Sequence, residues 1–287
     1  MIATSSPTCT MKWFNQAVKP HFSWPDCTVE IPFEGHNVIL QPLTDKHSAT
    51  VSLFDPKGTT FDKGGTLVSR FLSRLAWSMG GGVVELFETG SNNPEQPGQL
   101  GRGTYGISGC SQVSPWDYLY LPSATKPHAD LALALFREAM SVNSVPFSFL
   151  SYFKVLNIAF DKGAKQKSWI NQNIEAICYQ PAATRLQDLR KSTDDIGKYL
   201  YGQGRCAIAH AYSPDQLVNP DKYGDKRRLE LDLPLMKELS ALFIEREFGV
   251  LSIDSFWMRL KQEDQISVEL LKKVCSESKV IRYVPNI

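Results

Sequence analysis

The feature that most constrains this chain is a single change of hydrophobic period near Lys126. Before it, runs rich in β-formers at residues 27–33, 37–40, 49–54 and 82–88 are separated by turns such as Phe54-Asp55-Pro56-Lys57-Gly58, a pattern that predicts strands. After it, apolar residues recur at helical spacing almost to the C-terminus. The switch predicts an α+β chain, with a β-rich mixed domain over residues 1–127 followed by an α-helical bundle over residues 128–287. A length of 287 residues lets two such domains bury cores without disulfides or metal.

One helix is expected in the first part, over residues 66–79, where Leu67, Phe71, Leu75 and Met79 share a face and Arg70 and Arg74 share another. In the second part the spacing predicts helices over residues 128–142, 147–159, 168–178, 183–201, 235–247, 253–261 and 267–275. The first of these is apolar around most of its circumference (Leu131, Leu133, Leu135, Phe136, Met140), which predicts a central place in the bundle. Pro146 suits the first turn of the next, and Trp169, Ile170, Ile174 and Ile177 mark one face of the third. Residues 89–127, dense in Gly, Pro and Asn, are expected to form a long loop, of which the part around Gly101–Gly109 covers a site or meets a partner. Within it, Gly101-Arg102-Gly103-Thr104-Tyr105-Gly106 superficially resembles a phosphate-cradling loop, yet no strand leads into it and no Gly-Lys-Ser/Thr appears.

Charge narrows the partners. With 31 Lys and Arg against 30 Asp and Glu the formal net charge is +1, so any contact with RNA must be local rather than chain-wide. The six cysteines (Cys9, Cys27, Cys110, Cys178, Cys206, Cys275) contain no Cys-x-x-Cys pair, which predicts reduced thiols. No apolar stretch reaches the roughly 20 residues of a membrane helix, and the N-terminal segment lacks a signal-peptide pattern. The expectation is a cytoplasmic protein with no membrane partner.

Histidine carries the most chemical information, because there are only five. His21, His36 and His47 have no His or Cys at metal-ligand spacing, His128 begins a helix, and neither metal nor cofactor is expected. His210 stands apart, following Arg205 after four intervening residues. Gly202 and Gly204 are expected to interrupt the helix so that Arg205 opens a new segment whose free N–H groups favour phosphate. In an uninterrupted helix positions five apart point about 140° away from each other, so convergence of the two side chains requires a distortion or a second subunit. Imidazole can accept the proton of an attacking hydroxyl near neutral pH, and guanidinium can hold a phosphate and stabilise developing charge. The competing expectation is structural: Arg205 pairs with Asp194 or Asp195, and His210 bonds a carbonyl near Pro214. Asp194 and Asp195 are otherwise expected to face solvent or to cap a local helix irregularity.

Further basic residues could supply a local phosphate track. Arg185, Arg190 and Lys191 lie on the helix before the motif, and Arg227 and Arg228 belong to the compact run Asp225-Lys226-Arg227-Arg228. Tyr201 and Tyr212 bracket the motif and are candidates for stacking on bases.

The Arg205 to His210 spacing within a helical bundle resembles the HEPN superfamily, over roughly residues 126–249. The resemblance implies a metal-independent endoribonuclease of toxin or antiviral-defence type, a homodimer with a composite cleft, Arg205 as phosphate ligand and His210 as acid and base. It also leaves room for a regulatory protein partner. Cys206 departs from the pattern, since many active members carry Asn, Asp or His directly after the arginine. A longer resemblance, carried by Trp24-Pro25, LALALFREAMSVNSVPFSFLSYFKVLNIAF and LYGQGRCAIAHA, is to proteins labelled MauJ after the methylamine-utilisation gene cluster. That label implies an association with methylamine utilisation and no particular reaction, so a catalytically silent scaffold or accessory protein is the alternative function.

Overall fold

The structure, a computed structural model, describes residues 10–93, 97–101, 120–210, 217–219, 223–262 and 282–284. The first elements are β1 (Met11–Pro20), β2 (Thr28–Phe33), β3 (His36–Gln41), β4 (Thr50–Thr59), α1 (Phe61–Met79) and β5 (Val83–Ser91). There follow α2 (Ala129–Ser141), α3 (Val145–Asn157), α4 (Gly163–Asn173), α5 (Gln180–Arg190), α6 (Ile196–Tyr199), α7 (Ala207–Ala209), α8 (Tyr223–Phe243), α9 (Ile253–Gln262) and β6 (Arg282–Val284). The fold is α+β, and the chain divides into two compact units, Met1–Leu121 with Ile253–Ile287, and Pro122–Ser252. Among the described residues, no helix is long and apolar enough to cross a membrane.

The first unit is built on a six-stranded sheet in the order β5-β1-β4-β3-β2-β6, each described pairing antiparallel. The β2–β3 hairpin turns through Glu34 and Gly35, both at positive φ (47° and 78°), the backbone that a two-residue type I′ turn requires. One sheet face buries Phe14, Val38, Leu40, Val51 and Leu53, and α1 supplies Leu67, Phe71 and Leu75 as its spacing predicts. Thr60 caps the start of α1 by accepting from the Lys63 N–H, and Gly80 ends it in the left-handed conformation. Its Arg70 and Arg74 both reach the Glu34 carboxylate, at 3.2 and 2.7 Å, and so tie the hairpin tip to the helix. The other face has a polar centre, where Ser52 donates to Asn15 and the Gln41 amide donates to Ser52, each at 2.7 Å.

Two features of this unit differ from the sequence expectation. β1 is a central strand that the periodicity does not announce, because Asn15 and Gln16 are buried along with Phe14 and Ala17. The segment from Ile253 onward groups with the sheet rather than with the bundle: β6 pairs with β2, and Phe256 of α9 stacks on Tyr120 with ring centres 4.2 Å apart. The helix expected over residues 267–275 and the loop from Arg102 to Gly109 lie outside the described residues.

The second unit is a helical bundle centred on α3, whose Phe149, Tyr152, Phe153, Val155 and Leu156 are buried and which packs on both α2 and α8. Helix α2 is not central, contrary to its apolar circumference: it buries Ala129, Ala132, Leu133, Phe136 and Ala139, while Leu131 is 49% exposed. Trp169, Ile170, Ile174 and Ile177 are all buried as expected, although α4 ends at Asn173 and a 3-10 turn carries the chain through Ile174–Ala176. Helix α8 begins well before the expected residue 235 and runs through Pro234, whose side chain breaks the sequence pattern without ending the helix.

Candidate functional site

The helix expected over residues 183–201 is two helices, and the break positions the site. After α5, Asp195 caps α6 by accepting from the Lys198 N–H at 2.8 Å, so it does serve a helix irregularity. The same carboxylate accepts from Asn171 of α4 at 2.8 Å, and Asn171 in turn accepts the Gly197 N–H at 2.7 Å. Gly197 lies directly against the Lys167 carbonyl, where any Cβ would collide, so α4 and α6 meet backbone to backbone. Hydrogen bonds from Asn171 and the Lys198 backbone hold the Asp195 carboxyl below the ordinary aspartate value. Replacing Asp195 with Ala should cost about 1 kcal/mol, as loss of a helix N-cap does. Because the folded carboxyl is depressed, its contribution is complete above the unfolded aspartate value and is lost as pH falls through the lower folded one. Denaturation midpoints of the two proteins should therefore differ at neutral pH and converge in acid.

Beyond α6 the helix widens instead of stopping. Leu200–Cys206 form a π-helical turn in which the Ala207 N–H reaches back to Gly202 O, five residues earlier. Gly204 presses on α3 so closely that a Cβ would sit 2.5 Å from the Phe149 ring, which fixes this turn against the core. The expected free helix start at Arg205 is thus absent: Gly202 and Gly204 lie inside a continuous, widened helix, and Arg205 is near its end. Helix α7 then lasts three residues, and His210 leaves it with extended backbone (φ −119°, ψ 129°).

This distortion brings the two motif side chains together within one chain. Arg205 Nη1 lies 3.3 Å from His210 Nε2. Guanidinium nitrogens only donate, so this contact is a hydrogen bond when Nε2 carries its lone pair, the form of imidazole that accepts a proton. His210 is exposed and Arg205 half-buried. Arg205 Nη1 is also 3.7 Å from Cys206 Sγ, and its guanidinium carbon is 5.7 Å from the centre of the Tyr201 ring. Among the described residues Arg205 has no carboxylate within ion-pair distance, Asp194 and Asp195 included.

The surrounding cations are placed differently from the expected phosphate track. Arg190 pairs with Glu175, Lys191 with Asp188 at 2.8 Å, and Arg227 with Glu230 at 3.4 Å. Arg185 and Arg228 turn inward to Asp232 of α8, whose side chain is 1% exposed: Arg185 Nε donates to one carboxylate oxygen at 2.8 Å, and Arg228 approaches the other at 3.6 Å. The Tyr199 hydroxyl donates to Asp232 at 2.9 Å. Burial pushes the Asp232 carboxyl above its ordinary value, and Arg185, Tyr199 and Arg228 pull it back. These two arginines therefore join α5, α6 and α8. Tyr201 packs its ring edge to face with Phe153 and against Gly163, with no open face for a base on those sides. Tyr212 lies outside the described residues.

Two residues that sequence reasoning missed stand out. Asp232 sits in an ordinary amphipathic stretch, and only tertiary approach makes it the hub of a buried network. Lys167, on α4, places its ammonium 5.5 Å from the same Tyr201 ring that Arg205 approaches. Cys27, Cys178 and Cys206 are free thiols, and among the described residues no group of three or more His, Cys, Asp or Glu is placed to hold a metal ion.

The widened turn, the Arg205–His210 contact and the Asp232 network all fall in one stretch of the helical unit, and that stretch has a recognisable relative. Residues 132–245 match the family model described as methylamine utilization protein MauJ. No curated protein and no solved structure matches the chain. The MauJ match spans most of α2 through the end of α8.

Proposed function

We propose that the chain is a metal-independent endoribonuclease of the toxin or defence type, which cleaves RNA by attack of a 2′-OH on the adjacent phosphodiester. The observation that carries this reading is the 3.3 Å approach of Arg205 to His210 in an accessible position, with the guanidinium unclaimed by a carboxylate among the described residues. Arg205 turns from His210 Nε2 to the phosphate oxygens, His210 takes the 2′-OH proton on the freed lone pair as the 2′-oxygen bonds to phosphorus, and the bond to the 5′-oxygen breaks as a second imidazole gives that oxygen a proton. In-line displacement puts entering and leaving oxygens on opposite sides of phosphorus, so the imidazole of a second copy suits the leaving oxygen. A homodimer through the helical unit is accordingly part of the proposal, with the β-rich unit supplying regulation or target choice.

The test is incubation of purified protein with total RNA in EDTA, alongside expression of wild type and His210→Ala in a bacterial host. Cleavage and growth arrest by the wild type alone are expected. Intact RNA with equal growth of both strains would favour the alternative, a non-catalytic accessory protein linked to methylamine utilisation, the process that the matched family's description names.

A further inference from the structure

Tyr201 gathers two cations that belong to different helices. Arg205 follows it in the π-helical turn with its guanidinium carbon 5.7 Å from the ring centre, and Lys167 reaches the ring from α4 with its ammonium at 5.5 Å. Both are half-buried and neither has a carboxylate within ion-pair distance among the described residues. The carboxylate nearest in effect, Asp195, feels the Lys167 charge but is engaged by Asn171 and the Lys198 N–H. Two like charges are thus gathered at one aromatic ring with no ion-pair partner among the described residues, and one of them, Arg205, also meets His210.

The arrangement is fixed rather than incidental. Gly163 and Lys167 are one helical turn apart and share a face of α4. Gly163 leaves room for the hydroxyl end of Tyr201, since a Cβ there would overlap the ring, and Lys167 then extends over it. On the other side Phe153 meets the ring edge to face at 6.0 Å. The contact of Gly197 with the Lys167 carbonyl holds α4 at one height against α6. A chain of net charge +1 has little general attraction for RNA, so a local pair of this kind has a larger share in holding the backbone.

We propose that Lys167 and Arg205, assembled on Tyr201, form a cradle for the phosphodiester backbone of single-stranded RNA, with Lys167 as a positioning residue for attack at His210. This rests on the ribonuclease reading above, and binding is measured apart from cleavage to keep the two separable. A fluorescent 2′-O-methyl RNA oligonucleotide, which has no free 2′-OH, is titrated with wild type, Lys167→Ala and Lys167→Arg over a range of salt concentrations. For Lys167→Ala the slope of log affinity against log salt should become shallower by about 0.7, the value for one lost phosphate contact on a single strand, with an unchanged melting temperature. Lys167→Arg should restore most of the slope, which a residue acting only in folding would not do.

A wild-type slope and affinity in Lys167→Ala overturns the cradle, as does failure of the wild type to bind the oligonucleotide. Binding with the expected slope but no cleavage of ordinary RNA supports the cradle and removes the ribonuclease. Cleavage that depends on Arg205 yet proceeds at wild-type rate and affinity in Lys167→Ala removes the cradle and leaves the ribonuclease standing.

Discussion

Asp232→Ala is expected to destabilise the helical unit by about 3–5 kcal/mol, the usual consequence of removing one partner from a buried ionic network. The carboxylate is 1% exposed and is approached by Arg185 and Arg228, whose side chains are 18% and 19% exposed. Among the described residues all three Arg228 guanidinium nitrogens are buried without a hydrogen-bond partner, so this cation depends on the Asp232 charge more than on directed bonds. Taking the carboxylate away leaves two partly desolvated cations facing each other and frees the Tyr199 hydroxyl that now donates to it. Because the network joins α5, α6 and α8, the loss should appear as an earlier cooperative transition in chemical denaturation. A variant within about 0.5 kcal/mol of wild type, the range of an ordinary surface substitution, would show that the network contributes no net stability.

Arg205→Ala and His210→Ala should behave in the opposite way, losing activity without losing stability. Removal of a general base costs a factor of about 10²–10⁴ in rate, and removal of a charge-stabilising donor about 10²–10³. His210 is exposed and Arg205 half-buried, and among the described residues their side-chain polar and ring contacts beyond each other are the Cys206 sulfur and the Tyr201 ring, so melting temperatures should stay close to wild type. Rates of RNA cleavage and thermal melts of the same preparations test both halves of the statement. A fall in melting temperature that parallels the fall in rate would make the pair a structural clasp.

Helix α1 was legible over residues 66–79 because Leu67, Phe71 and Leu75 keep one apolar face, while its first turn, from Phe61 after the Thr60 cap, lacks that spacing and was not foreseen. Strand β1 was not, since a strand buried on both faces shows no alternation, and here Gln16 lies among the apolar residues of one face and Asn15 at the polar centre of the other. The break between α5 and α6 was hidden because Leu186, Leu189 and Ile196 keep helical spacing across it. At the site, Arg205 and His210 were visible as residue types at a spacing, together with the need for a distortion. The form of that distortion was not visible, because the π-helical turn is set by the fit of Gly204 on Phe149, a contact between distant parts of the chain. For the same reason no local signal marks Lys167, which meets Arg205 only through Tyr201, or Asp232, which claims two arginines that sequence alone leaves free for phosphate.

The central claim is that a 2′-oxygen attacks phosphorus with Arg205 and His210 in attendance, and the chemistry of the product ends tests it most directly. A defined RNA oligonucleotide cleaved by the wild type in EDTA, with fragments read by mass spectrometry, should yield 2′,3′-cyclic phosphate and 5′-hydroxyl ends, and a single 2′-deoxy substitution at the cleavage position should block the cut. Fragments ending in 3′-hydroxyl and 5′-phosphate, or undiminished cutting at the 2′-deoxy position, would contradict it.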